Sequence, residues 1–434
     1  MKKVLLFVAA AVMAVSITFA QDDAKAAAKA AKAAAKALKA EIKAANKILR
    51  DAQGQLNAPD GNIDEANALI EAAMENKHTS ANPDTWYVAG KIQNKIYDKE
   101  NEKMYLQQPY SQEVFFGSLS KMFDYFIKCD ELEQIPNEKG KVVVKYRPET
   151  SDLLARLRIN LVSGGVTYFN ENNNEKAFDL FSQYIDVASA PLLAEYNLME
   201  TDTLMYEIAY YATLAGLKME DYNKALKYID LAEKKTDIAQ KAVEYKALSH
   251  LNLGDTISWL NTLKEGVEKY PSVEYFYSNL ISYYNNSGNT DELMAFADEM
   301  LAKNPLPIFR FVKGFVYQNM QDYDKAIEEY KIAIEQDPNY IGAYRNLGIC
   351  YCQLAQNESD KMTSLNIKSK AYKEQKEVVS KYYRLALPLY EHLRKIDDGT
   401  DPDVRNAWTN GLYTCYYMLN MGKEFEEIEK LINQ

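Results

Sequence analysis

The chain has 434 residues with a formal net charge of −11, and 47% of it is hydrophobic against 26% charged. That is an ordinary globular balance, long enough to bury a large core, and its acidity argues against general nucleic-acid binding. Only 12 Pro and 17 Gly interrupt it, whereas 33 Tyr supply rings with an apolar body and a polar tip. Such a composition suits packed helices better than a turn-rich sheet.

In chain order, Lys2 and Lys3, the apolar run Val4 to Ile17 and the small-residue site Thr18-Phe19-Ala20 read as a secretory signal over residues 1–20. Gln21 follows, where a lipoprotein would carry Cys, and the first Cys is Cys129. The expectation is an exported, periplasmic protein that starts near Gln21 and is not a lipoprotein. No later stretch is long and apolar enough to span a bilayer.

Ala24 to Arg50 predicts a helix in which Lys25, Lys29, Lys32, Lys36, Lys39, Lys43 and Lys47 recur every three or four residues and so share one face. Residues 21–50 carry +5 and residues 51–434 carry −18. The reading adopted has Lys facing water while Ala packs on the next helix and caps the fold. Contact of the Lys25–Lys47 stripe with a membrane surface is the alternative, weakened by the shortage of large apolar side chains.

Beyond this helix the chain repeats. Pro271, Pro305 and Pro338 lie 34 and 33 residues apart, each closing a helical segment. Counted from Pro307, the residues Gly314, Tyr317, Ala326, Tyr330, Ala333 and Pro338 fall at positions 8, 11, 20, 24, 27 and 32. From Ile341 the next unit supplies Tyr344, Leu347, Gly348 and Tyr351. Together these resemble the tetratricopeptide-repeat signature, W-x2-L-G-x2-Y…A-x3-F…P. Earlier units start at Tyr206, Gln240 and Glu274, and one from Arg158 is followed by an insertion around Ser189 to Asp202. Small residues at 8 and 20 let two helices approach, large ones at 4, 11 and 24 fill the gaps, and Pro ends the second helix.

The predicted fold is therefore all-α: a right-handed superhelical solenoid of antiparallel helix pairs, about eight or nine in number. Residues 21–150 would hold the Ala/Lys-rich helix and degenerate repeats, with a loop or extended piece near Lys141 to Tyr146. Residues 151–434 would hold the superhelix, interrupted by a polar insertion at about 356–380. With the leader and Gln21, the segment Asn82-Pro83-Asp84-Thr85-Trp86-Tyr87-Val88-Ala89-Gly90 and the run Tyr382-Tyr383-Arg384-Leu385-Ala386-Leu387-Pro388-Leu389 resemble exported tetratricopeptide-repeat proteins of Bacteroidetes-type bacteria. That resemblance implies a fold and a compartment rather than an activity.

In such repeats, positions 2, 5, 9, 12 and 13 of the first helix face an inner groove. Carried onto this sequence, the resemblance nominates Tyr210 and Lys218, then Tyr275, Ser278, Ser282, Asn285 and Asn286, then Phe311, Phe315, Gln318 and Asn319, and finally Arg345 and Gln353. Rings beside amides and hydroxyls suit an extended peptide, burying its side chains while bonding its backbone. A protein or peptide partner is thus expected, in a scaffold or adaptor. The alternative is glycan capture in an outer-membrane uptake system.

Neither an enzyme nor a cofactor is expected. No HExxH, GxSxG or phosphate-loop pattern occurs. Ser163-Gly164-Gly165 falls where small residues serve close helix contact. Cys129, Cys350, Cys352 and Cys415 are too scattered for a disulfide framework and are expected as small buried hydrophobes. Cys350 and Cys352, two apart on a helix, point to different faces, against a shared metal. A Cys352–Cys415 bridge between neighbouring repeats is left open.

Overall fold

The computed structural model describes residues 21–137, 139–303 and 305–432, with side chains from Lys29 onward. The leader-like residues 1–20, and the Lys25 side chain, lie outside that description. Among the described residues there are helices, turns and loops and no strand. The contacts divide the chain into two compact units, Met1–Ala242 and Val243–Gln434.

In the first unit α1 (Gln21–Asn57) pairs with α2 (Ile63–Glu75), α3 (Pro83–Tyr105) with α4 (Gln112–Glu133), and α5 (Arg147–Asn170) with α6 (Asn174–Asp186). A 3-10 turn at Val187–Ser189, another at Pro191–Tyr196 and the short α7 (Leu198–Thr201) form the insertion foreseen there. Next, α8 (Leu204–Lys218) packs on a second helix broken into α9 (Tyr222–Leu226) and α10 (Ile229–Ala232). Helix α11 (Ala239–Asn252) runs across the unit boundary. The second unit continues with α12 (Thr256–Lys269), α13 (Glu274–Ser287), α14 (Thr290–Lys303), α15 (Pro307–Asn319), α16 (Tyr323–Gln336), α17 (Ile341–Met362), α18 (Lys370–Ile396), α19 (Pro402–Met418) and α20 (Gly422–Ile432).

The turns inside four of the pairs have a common construction. A residue with positive φ reverses the chain at Asn172, Glu220, Gly254 and Gln321. The next residue, Asn173, Asp221, Asp255 or Asp322, caps the second helix by accepting the backbone N–H three residues on. Glu220, Gly254, Gly288 and Gln321 follow one another at 34, 34 and 33 residues, the spacing of the prolines. Asn172 precedes Glu220 by 48, one repeat plus the 14 residues of Ser189–Asp202. Pro271, Pro305 and Pro338 each stand two residues beyond the end of α12, α14 and α16, where a residue without an N–H can stop a helix at little cost.

Glycine against ring is the recurrent packing unit. A Cβ added at Gly90 would lie 2.4 Å from Phe126, at Gly165 2.3 Å from Phe181 and at Gly314 2.6 Å from Tyr330. Gly164 approaches Leu180 and Phe116 in the same way, so the Ser163-Gly164-Gly165 triplet is a helix contact. In the second unit these contacts merge into a continuous apolar core from Val243 to Ile428. No single pair could enclose such a core by itself.

One segment departs from expectation. Helix α1 has 37 residues but its partner α2 only 13, so about two-thirds of α1 extends past the length of α2. Leu49 and Ala52 share an apolar cluster with Ala66, Ile70 and Ala73, and Ala45 is buried one turn earlier. Ala30, Ala33, Ala34, Ala35, Ala37 and Ala40 are instead exposed beside Lys29, Lys32, Lys36, Lys39 and Lys43. Among the described side chains, the packed alanine face is thus confined to the last third of α1. The polar stretch from Gln356 is largely helical: α17 runs to Met362 and α18 begins at Lys370. Gln375 bridges the two extensions by donating to the carboxylate of Glu358 at 2.6 Å.

Candidate peptide-binding groove

The nominated residues fall into three groups. In the first unit, Tyr210 is half-buried, 6.4 Å from Tyr211 ring to ring, and the Lys218 ammonium sits 4.0 Å above the Phe169 ring. In the second unit, Tyr275 is half-buried edge-on to Phe276 at 5.5 Å, and burial raises its hydroxyl pKa. Ser278 is half-buried, whereas Ser282, Asn285 and Asn286 are exposed along the same helix. Asn319 donates its amide to Asn285 at 2.8 Å, 34 residues away, so neighbouring positions of successive repeats are joined along one face.

Phe311 needs correction. It is 8% exposed, packed edge-on to Tyr340 at 5.4 Å and tilted on Tyr330 at 5.8 Å, with Gly342 against its edge. Its ring belongs to the core because the turn before α17 brings Tyr340 over it. Phe315 stays half-buried. The Gln318 carbonyl accepts the Tyr330 hydroxyl at 2.7 Å, which commits half of that amide.

Arg345 and Gln353 are brought together. They line a groove of about 660 Å³ between α17 and α19, whose floor is Tyr383 and Tyr390 from α18. On α17 the lining residues Arg345, Ile349, Cys352, Gln353 and Gln356 recur at helical spacing. On α19 the matching stripe is Asp403, Asn406, Asn410 and Thr414, at steps of three and four. Asn406 and Asn410 are exposed, as is Ile349 at 41%, so apolar and amide groups alternate across the opening. Arg345 is half-buried, and among the described residues no carboxylate lies within 4.0 Å of it. Burial drives the hydroxyl pKa values of Tyr383 and Tyr390 upward, so the floor stays neutral and Arg345 supplies the wall's positive charge.

The α19 stripe was missed in the sequence because the lengthened α17–α18 hairpin breaks the count from Ile341. The histidines serve packing: His392 stacks on Tyr344 at 4.3 Å with Nε2 3.0 Å from the Pro338 carbonyl, and His78 faces Glu41 at 3.4 Å.

Consecutive helix pairs at a 33- or 34-residue step, locked by glycine against ring, define a helical-repeat protein. The tetratricopeptide-repeat family model, described as TPR repeat, matches residues 314–354. Within residues 314–354 the chain therefore carries a tetratricopeptide repeat. Among solved structures it is similar to a TPR repeats protein from Bacteroides fragilis, at 18% identity over 58% of this chain and 97% of that one, with a TM-score of 0.32. It is also similar to the C-terminal part of a TPR repeat-containing protein from Cytophaga hutchinsonii, at 15% identity over 61% of this chain and 92% of that one, with a TM-score of 0.31. No curated protein matches the sequence.

Proposed function

We propose that this chain is an exported, periplasmic scaffold that holds an extended polypeptide segment in the groove between α17 and α19. The observation that carries the reading is Arg345, a half-buried cation without a carboxylate partner among the described residues, set among amides on a preformed wall. An extended segment has a free row of backbone N–H and C=O groups and alternating side chains. Gln353, Asn406 and Asn410 offer both donors and acceptors to that row. Ile349 offers an apolar contact, and Arg345 takes a carboxylate side chain of the ligand. Because the wall is carried on packed helices, little ordering cost remains at binding.

A photo-crosslinking amino acid at Asn410, introduced in the native cell, tests this reading. One discrete adduct is expected, absent from a control carrying the same group at Ile257, and lost when Arg345→Ala is added. Adducts of the same pattern from both positions would defeat the groove assignment. The N-terminal sequence of the protein recovered from the periplasmic fraction tests export separately, with Gln21 as the expected first residue.

A further inference from the structure

Beneath the groove lie two cysteines that this binding reading does not use. Gly348 and Cys352 are one turn apart on α17, and Gly411 and Cys415 are one turn apart on α19. Residues four apart share a helix face. The ring of Tyr390 lies against both glycines, so both faces turn toward the same ring. The two helices approach within 8 Å, Cα to Cα. Equal offsets from two glycines on one ring therefore set the two thiols opposite each other, although 63 residues separate them in the chain.

We propose that Cys352 and Cys415 are a dithiol site that a small-molecule disulfide converts into a covalent bridge between α17 and α19. Accessibility orders the steps. Cys352 is partly exposed and lines the groove, whereas Cys415 is fully buried. The thiols interact with each other: the Cys415 S–H turned to Cys352 lowers the Cys352 pKa, while Cys415 itself is pushed up. Cys352 is thus the sulfur that ionises and meets an oxidant first.

The Cys352 thiolate attacks one sulfur of the external disulfide. That S–S bond breaks, one thiolate leaves and takes up a proton, and a mixed disulfide stands at Cys352. Cys415 then gives up its proton and attacks the Cys352 sulfur, expelling the second external thiolate, which is protonated. Two cysteine thiols are oxidised by two electrons, and one disulfide is reduced to two thiols. Cys350 and Cys129 are internal controls, both buried, with thiols pushed up to about 12 by burial.

The test is incubation of the full native chain with oxidised glutathione, followed by alkylation, thiol counting after denaturation and non-reducing peptide mass spectrometry. The expected result is loss of two of the four thiols, a peptide pair joined through Cys352 and Cys415, and alkylated Cys129 and Cys350. The Cys415→Ser variant, with unchanged helical circular dichroism, should stop at a glutathione adduct on Cys352. The bridged protein should unfold several degrees higher than its reduced form. Four surviving thiols, a persistent glutathione adduct on Cys352 in the native chain, or a bridge to Cys350 would each overturn the proposal.

Discussion

The ring of Tyr390 leaves no space for a side chain at Gly411: a Cβ there would lie 2.4 Å from its Cδ1 atom. Gly348 meets the same ring, with a hypothetical Cβ 2.6 Å from Cζ. One tyrosine of α18 therefore spaces α17 from α19 and sets the width of the groove above it. Overpacking such a contact costs about 1–3 kcal/mol. Gly411→Ala should lower the urea midpoint of the second unit accordingly, and Gly348→Ala should do the same. Gly54→Ala, with nothing within 4 Å, should instead gain about 0.5–1 kcal/mol from helix propensity. Equal midpoints for Gly411→Ala and the native chain would show that the ring yields freely.

Arg158 ties the insertion to the first unit. Its guanidinium lies 3.6 Å over the Tyr184 ring, donates to the Tyr184 carbonyl at 3.0 Å and pairs with Asp202, which also accepts the Tyr184 hydroxyl at 2.6 Å. Arg158 is 5% exposed, so losing Asp202 would strand a buried charge. Removing one partner of a buried pair costs about 3–5 kcal/mol. Asp202→Ala should destabilise the first unit by that order and speed limited proteolysis within residues 189–202. Cleavage at the native rate would mean that the insertion is held by its other contacts, buried Leu192 and Leu193 and the Tyr196 hydroxyl on Asp152 among them.

Glu100 gives the first unit an acid-sensitive joint. Its carboxylate accepts the Lys103 ammonium and the Ser111 backbone N–H at 2.8 Å, fastening the loop between α3 and α4. These bonds, Lys103 first, hold its pKa below the ordinary 4.5. A carboxyl depressed in the folded state binds its proton more readily when unfolded. Its stabilising contribution is therefore complete above about pH 4.5 and fades as pH falls through the lower folded value. Hydrogen exchange at residues 106–111 should accelerate as pH drops below 4.5, after correction for intrinsic rates. Glu100→Gln should exchange quickly at neutral pH and lose that added acid sensitivity. An identical pH profile in the variant would remove Glu100 from the account.

The parts of this fold legible in the sequence are those where a residue type is required. Pro271, Pro305 and Pro338 announce the period because proline stops a helix. Gly314 and Tyr330 announce the pairing because only glycine admits a ring so closely. The reversals at Glu220 and Gln321 carry no such mark, since positive φ is held there by flanking helices rather than by glycine. The groove is less legible for a related reason. A position rule places Phe311 on the inner face, but whether the ring stays open depends on Tyr340, which belongs to the next turn. The α19 stripe escapes any rule that counts through a hairpin of variable length. Likewise the alanines of α1 suit close packing, and only the length of α2 decides how many obtain it.

Arg345 offers the sharpest separation between a binding wall and a packing contact. Without a carboxylate partner among the described residues, it contributes little to folding, so Arg345→Ala should leave the unfolding midpoint within about 0.5 kcal/mol of native. A charged hydrogen bond to a ligand carboxylate is worth about 1.5–3 kcal/mol, which corresponds to a loss of roughly ten- to a hundredfold in affinity. Arg345→Lys should recover only part of that loss, because an ammonium lacks the forked donors. Once a bound segment is identified by crosslinking from Asn410, isothermal titration with the acidic peptide and its Asp→Asn or Glu→Gln counterpart completes a double-mutant cycle. A coupling energy near 1 kcal/mol or more places Arg345 on the ligand. Additive losses would leave the groove occupied through Ile349 and the amides alone, with the cation merely keeping the wall soluble.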